Sequence, residues 1–273
     1  MSIELGTYGI WKRAADTTTE LARMVEDLGY GSLWVGGSPS GDLGVIAEAL
    51  AATESIGVAT GIVNMWRDEA STVASSYHRI ESSHPERFLL GVGIGHPEST
   101  SVYRSPYDTM TGYLDALHAA GVPREGIVLA ALGPRALRLA AERTVGSHPY
   151  FTTPRHTRLA RQVFGDGVLL APEQTVVVDP DMARARDLAR SFAARYLGLV
   201  NYRNSLLREG WAEGDLQDGG SDLLLDEVVL IGDAATVAEG IRAHVDAGAD
   251  NVNIQALGPD PARAYRELAA ELL

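Results

Sequence analysis

Residues 58–96 read VATGIVNMWRDEASTVASSYHRIESSHPERFLLGVGIGH, and this stretch decides the fold. A small and β-branched run, Val58 to Val63, ends at Asn64. A helical segment follows from about Asp68 to Ser83, the turn His84-Pro85-Glu86-Arg87 returns the chain, and a second apolar run extends from Phe88 to Ile94. Two apolar strands joined by a helix of this length form a βαβ unit, with parallel strands and a right-handed crossover. In such units ligands collect beyond the carboxyl ends of the strands. Polar residues stand there: Asn64 after the first run, His96 and Glu98 after the second. The unit therefore marks the centre of a candidate enzyme site.

The same alternation continues in both directions. Upstream, Ile3–Trp11 and Ser32–Val35 read as strands, with helices over Leu21–Leu28 and Leu43–Ser55. Downstream, strands are expected at Ile127–Leu132, Thr144–Phe151, Leu169–Val178 and Asn251–Ala256. Helices are expected at Tyr107–Ala120, Arg135–Arg143, Pro154–Phe164, Asp181 to about Arg208, Ala234–Ala247 and Pro261–Leu273. Eight strand-like runs alternating with helices over 273 residues fit one (β/α)8 TIM barrel domain spanning residues 1–273 better than an open doubly wound sheet. The long excursion 179–226, partly polar and glycine-rich, is the candidate insertion, and Val228–Ile231 is a short apolar run beyond it.

Composition narrows the function. A net charge of −13 argues against nucleic acid as a partner, because phosphate backbones need a basic face. There is no cysteine, which excludes disulfides, zinc–thiolate sites and a cysteine nucleophile. No apolar stretch reaches membrane-spanning length, and the amino terminus does not resemble a signal peptide, so a cytoplasmic protein is expected. Lys12 is the only lysine, which restricts Schiff-base chemistry to that position. The seven histidines show no metal-ligand spacing, and no metal is expected.

Gly91-Val92-Gly93-Ile94-Gly95 is not a dinucleotide fingerprint: the spacing is wrong and it lies late in a strand. Gly91 and Gly93 suit close strand packing, and Gly95 sits at the rim where a flat ligand could approach. Gly61, inside a strand pattern, is expected to mark a bulge or a close backbone approach, although on this stretch alone a plain packing glycine is favoured. Ala131-Leu132-Gly133-Pro134-Arg135 is a strand end, turn and helix start whose amides could hold a phosphate, with Arg135 or Arg138 adding charge. Arg155, His156, Arg158 and Arg161 make a basic cluster after strand six, beside His148 and Tyr150; Arg161 reads as part of a solvated helix face, the alternative for the whole cluster, and the others suggest an anionic ligand tail.

Taken together these pieces resemble the luciferase-like flavin and deazaflavin oxidoreductases, in particular the branch that uses coenzyme F420. The resemblance rests on Leu33-Trp34-Val35-Gly36, on Ala59-Thr60-Gly61-Ile62, and on the run Pro85 to His96. It continues through Tyr113-Leu114-Asp115-Ala116-Leu117, Ala131 to Arg135, and Ala247 to Val252. It implies a (β/α)8 barrel with an insertion and a non-prolyl cis peptide, here Gly61–Ile62, against the ring of F420. Asn64, Ile94, Gly95 and His96 would edge that ring. The phosphate would meet Ala131, Leu132, Gly133 and Pro134, and the tail would pass His148 and Tyr150. The implied reaction is hydride transfer between deazaflavin C5 and a small-molecule substrate, in a homodimer.

One departure stands out. Some relatives carry a histidine and an aromatic after strand two for proton transfer, whereas this loop reads Gly36-Gly37-Ser38-Pro39-Ser40-Gly41-Asp42. The expected catalytic acid is then His96, with Asp42 second and solvent as a further source. Three other readings remain: an FMN-dependent monooxygenase, a metal-free hydrolase using Glu98 and Glu173, and a cofactor-binding protein without turnover.

Overall fold

The computed structural model describes residues 3–95 and 105–273. Its strands are β1 (Tyr8–Arg13), β2 (Ser32–Gly36), β3 (Gly57–Gly61), β4 (Val63–Asn64), β5 (Phe88–Gly93), β6 (Ile127–Leu129), β7 (Gly146–Ser147), β8 (Leu169–Leu170), β9 (Glu173–Val178), β10 (Val229–Gly232) and β11 (Val252–Ala256). Its helices are α1 (Thr19–Asp27), α2 (Gly44–Ala51), α3 (Ala70–Ser83), α4 (Pro106–Ala119), α5 (Pro134–Arg143), α6 (Pro154–Phe164), α7 (Met182–Leu197), α8 (Val200–Glu209), α9 (Asp222–Val228), α10 (Ala234–Asp246) and α11 (Pro261–Leu272). The strands form one curled sheet in the order β10-β9-β11-β1-β2-β3-β5-β6-β7-β8, with β4 also on β5, and the pairings are parallel. The Ala171 and Glu173 amides donate to the carbonyls of Ser147 and Pro149, while β9 pairs with β11. The segment from β8 to β9 thus joins the two arms of the sheet. Among the described residues the strands number eleven because two of the runs read from sequence, Val58–Val63 and Leu169–Val178, are each divided, and the run at Val228–Ile231 adds β10.

Alternation along the strands sorts the side chains onto two faces. Trp11, Trp34, Ala59, Leu89 and Val128 come from successive strands and share one interior cluster. Their neighbours Ile10, Leu33, Val35, Val58 and Leu90 face the helices in the main core. Polar groups inside are satisfied in part by Asn251, whose Oδ1 accepts from Trp34 Nε1 at 3.1 Å and whose Nδ2 donates to the Gly6 carbonyl at 2.9 Å. Such pairing is what makes a buried amide tolerable.

The loops are tied down by specific residues of the motifs. Arg87 donates to the Ile56 and Thr53 carbonyls and to the Thr53 hydroxyl, at 2.7 to 3.1 Å, clasping the end of α2 to the start of β5. The helix expected from Asp181 to Arg208 is broken: Gly198 ends α7 and Leu199 is extended before α8. Glycine has low helix propensity, so the break falls where the backbone is cheapest to redirect. The polar, glycine-rich stretch beyond Glu209 leads into α9, which packs with α7, α8, Phe151 and Val177 into a separate apolar cluster.

The register shows why the centre of the sheet is irregular. Val58 and Ala59 lie opposite Phe88 and Leu89, but Val63 and Asn64 lie opposite Val92 and Gly93. The offset falls by one, so the β3–β4 side holds one extra residue, which defines a bulge at 60–62. The Thr60 hydroxyl replaces the lost ladder: it donates to the Gly91 carbonyl and accepts from the Gly91 amide, both at 2.8 Å. A Cβ on Gly91 would lie 1.8 Å from the Thr60 carbonyl oxygen, a backbone atom. We expect Gly91→Ala to cost about 3 kcal/mol or more through overpacking against backbone. Thr60→Val, which keeps the shape and orphans two buried backbone groups, should cost about 2 kcal/mol. Urea denaturation with an unchanged m-value checks both.

Candidate functional site

A cavity of about 570 Å³ opens at the carboxyl ends of the strands. Its wall on the β3 side is the bulge: Gly61 and Ile62, joined by a cis peptide, and Asn64. Trp11 and His148 adjoin that wall and line the cavity with it. A Cβ on Gly61 would lie 2.8 Å from His148 Nε2 and 2.9 Å from Trp11 Nε1, so the two rings pack directly on the glycine. His148 is held twice. Its Nδ1 donates to the Ala171 carbonyl at 2.6 Å, and its ring stacks on Trp34 with centroids 4.2 Å apart. Burial pushes its pKa down to about 4, which keeps the imidazole neutral with Nε2 as the acceptor nitrogen.

The neighbouring strand ends complete the walls. Ile94 and Gly95 follow β5, and Gly95 adopts φ +61 with the Asn64 amide packed where a side chain would begin. The Asn64 Oδ1 accepts from the Trp66 amide, which fixes that side chain. Ala131, Leu132 and Gly133 lead from β6 to α5, whose amino-terminal amides have no side-chain cap. The Arg208 guanidinium, reaching over from α8, lies 3.5 Å from where a Gly133 Cβ would be. An uncapped helix start faced by a guanidinium favours an anion.

At the other end the cavity is aromatic. Trp11, Tyr150, Tyr196 and Tyr202 line it, with the Trp11 and Tyr150 centroids 5.2 Å apart and those of Tyr150 and Tyr196 5.3 Å apart. The Tyr150 hydroxyl donates to Gln255 Oε1 at 2.8 Å and is 3.0 Å from the Tyr196 hydroxyl. Burial raises the pKa of both phenols, Tyr150 the more strongly, so both stay protonated at neutral pH. Beneath them lies Glu173, 1% exposed, accepting from the Thr175 hydroxyl at 2.5 Å and from the Phe151 amide at 3.2 Å. Burial pushes the Glu173 pKa up to about 8.

The site residues expected from sequence divide into three groups. Gly61, Ile62, Asn64, Ile94, Gly95, Ala131, Leu132, Gly133, His148 and Tyr150 all line this one cavity. Pro134 opens α5 just behind the lining, and the Asp42 carboxylate is exposed outside it, accepting from the Gly44 amide at 2.9 Å. His96 and Glu98 lie outside the described residues. His148 packs against Gly61, and Tyr150 packs on the Trp11 ring beside it. Glu173 is buried and is not among the residues that line the cavity. The basic cluster after strand six does not reach the lining: Arg161 pairs with Asp250, His156 Nε2 donates to the Leu132 carbonyl at 3.0 Å, and Arg155 packs near Gly210. Arg135 is turned onto the Tyr107 ring, 4.5 Å from its centroid.

Sequence reasoning missed Trp11, Tyr196, Tyr202 and Arg208. Trp11 was legible in principle, as a large aromatic at the carboxyl end of the first strand. The other three depend on the fold of α7 and α8 over the mouth, which the break at Gly198 decides.

The luciferase-like monooxygenase family model matches residues 3–120 and 106–251. Solved structures give the same fold. An F420-dependent secondary alcohol dehydrogenase superposes with a TM-score of 0.76 at 15% identity, covering 97% of each chain. The coenzyme F420-dependent tetrahydromethanopterin reductase from Methanopyrus kandleri gives 0.74 at 17%, covering 98% of each. The oxygenating constituent of 3,6-diketocamphane monooxygenase from Pseudomonas putida, in complex with FMN, gives 0.69 at 16%, covering 98% of this chain and 99% of that one. No curated protein matches the sequence.

Glu173 gives the site a pH signature. Its folded pKa is raised from the usual 4.5 to about 8 by burial. Below pH 4.5 both states are protonated and nothing is lost; as pH rises towards 8 the unfolded state gains by ionising first, so stability falls. Glu173→Gln mimics the neutral carboxyl, donating to Thr175 and accepting from Phe151. We expect the variant to match the parent at pH 5, to exceed it at pH 8, and to show a shallower decline in Tm between the two.

Proposed function

Because this chain belongs to the luciferase-like monooxygenase family, it is an oxidoreductase, and we propose that it transfers a hydride between C5 of coenzyme F420 and a small organic substrate. One observation carries the reading. Residues from four successive strand ends, chosen from sequence for a ring-and-phosphate cofactor, line a single cavity that ends at an uncapped helix start faced by Arg208. The bulge at Gly61–Ile62 offers the ring a backbone surface with apolar neighbours in Ile94 and Ala131. The α5 amides and Arg208 offer the phosphate its charge complement. When bound, such a cofactor supplies a two-electron hydride donor or acceptor. The chain's own part is to orient it, shield it and bind the substrate beside it.

Two of the structurally similar proteins carry F420 in their names, which is why the deazaflavin leads. FMN is the second reading, favoured by one observation: Arg155 and Arg158 do not line the cavity, so its basic provision suits a single phosphate. In the same reading the curled sheet is an eight-stranded (β/α)8 barrel, residues 179–226 are its insertion, and the working form is a homodimer. A hydrolase would need Glu173 at the cavity surface, where it does not stand.

The test is a titration of the protein with F420 and with FMN, following cofactor fluorescence and Tm. Saturable F420 binding with weak FMN binding is expected; the reverse preference selects the monooxygenase reading, and binding of neither overturns the proposal. Arg208→Ala should weaken the cofactor several-fold, in a salt-dependent way, and leave the phosphate-free ring (riboflavin for FMN) unchanged.

A further inference from the structure

The two tyrosines at the aromatic end of the cavity have a fixed direction of hydrogen bonding. Gln255 Oε1 can only accept, so the single Tyr150 hydroxyl proton goes to it, at 2.8 Å. The 3.0 Å contact between the phenols must then be donated by Tyr196 to the Tyr150 oxygen. Tyr150 is committed; Tyr196 is not. Its proton can swing from Tyr150 to another acceptor by rotation about the C–O bond alone. Leaving Tyr150 costs little, since that oxygen then lacks only a second, optional partner.

Tyr196 lines the cavity from the last turn of α7 and is half-buried, while the surrounding side chains Trp11, Tyr150 and Tyr202 are aromatic. An O–H donor free to rotate among aromatic rings suits a ligand that places an apolar body on those rings and an acceptor oxygen at the hydroxyl, because a donor left unmatched on binding is penalised. The Trp11 ring connects this donor to the Gly61 wall, touching the glycine on one side and Tyr150 on the other.

We propose that Tyr196 is the hydrogen-bond donor to the oxygen of the substrate, held ready by the Tyr150–Gln255 pair, and that the substrate is an apolar carbonyl compound or the corresponding alcohol. This rests on the oxidoreductase reading above. In the reducing direction the carbonyl carbon takes a hydride from the reduced deazaflavin or flavin, which is oxidised by two electrons. The oxygen takes the Tyr196 proton, the C=O π bond becomes a C–O single bond, and Tyr196 regains a proton from water. An alkoxide is far more basic than a phenol, so the transfer runs downhill even with the raised phenol pKa.

Infrared spectroscopy of carbonyl-13C acetophenone, with ethylbenzene as its oxygen-free counterpart, tests this on the full chain with and without cofactor. The unaltered protein should bind acetophenone roughly tenfold more tightly than ethylbenzene, a difference of about 1.4 kcal/mol, and lower its carbonyl stretching frequency. Tyr196→Phe should equalise the two affinities and abolish the frequency shift, with ethylbenzene binding and Tm unchanged. Tyr150→Phe should keep the shift, because Tyr196 is then freed rather than removed. Equal affinities in the unaltered protein, or a shift that survives Tyr196→Phe, overturns the proposal, as does a shift lost only in Tyr150→Phe. A Tyr196-dependent shift in a protein that binds neither F420 nor FMN contradicts the cofactor reading and leaves the donor assignment standing.

Discussion

The Thr60 hydroxyl, hydrogen-bonded to both backbone groups of Gly91, is the interaction on which the site depends. A parallel sheet would otherwise carry β3 straight along β5, and Gly61 and Ile62 would lie flat in the ladder. One extra residue on the β3 side lifts them out, and the lifted backbone leaves the Gly91 amide and carbonyl without ladder partners. Buried groups of that kind are costly unless paired. Thr60 pairs both, and only a glycine at 91 lets the strands come close enough for it to do so. The wall of the cavity is thus made of backbone held by a side chain two residues away from the rim.

From that wall the rest follows in sequence. Gly61 presents no side chain, so Trp11 and His148 close in against it, and His148 is fixed by Ala171 and Trp34 in a neutral form. One end of the cavity is then hydrogen-bonding and aromatic, with the phenols of Tyr150 and Tyr196. The other is electropositive, with the start of α5 and Arg208. A ligand with a flat apolar body and a negative tail matches both ends at once, although the chain as a whole is strongly acidic. Local placement of a few groups, not net charge, sets what this site can hold.

The parts of this arrangement that were legible in the sequence are those set by local rules. Strand and helix alternation, the glycines of Gly91–Gly95, and the strand-end positions of Asn64, Gly133 and His148 follow from periodicity and from where βα units place ligands. Gly61 was legible as a bulge, but not the role of Thr60, because a threonine in a strand looks like any β-former until its partner strand is known. The basic cluster at Arg155–Arg161 misled for the same reason: charges near each other in sequence were spent on Asp250, on carbonyls and on solvent once the helix turned. Arg208 and Tyr202 were invisible because their approach to the mouth requires the chain to break at Gly198 and fold back, and Tyr196 because its place there depends on how α7 packs, tertiary events that no local pattern reports.

The central claim is that the bulge and the α5 start bind opposite ends of one cofactor. A crystal structure of the protein grown with F420, or with FMN if that binds better, tests it most directly. The account predicts the ring against Gly61–Ile62, with its phosphate on the α5 amides within reach of Arg208. A ring seated away from the bulge, or a phosphate held elsewhere with Arg208 still facing Gly133 alone, would contradict it.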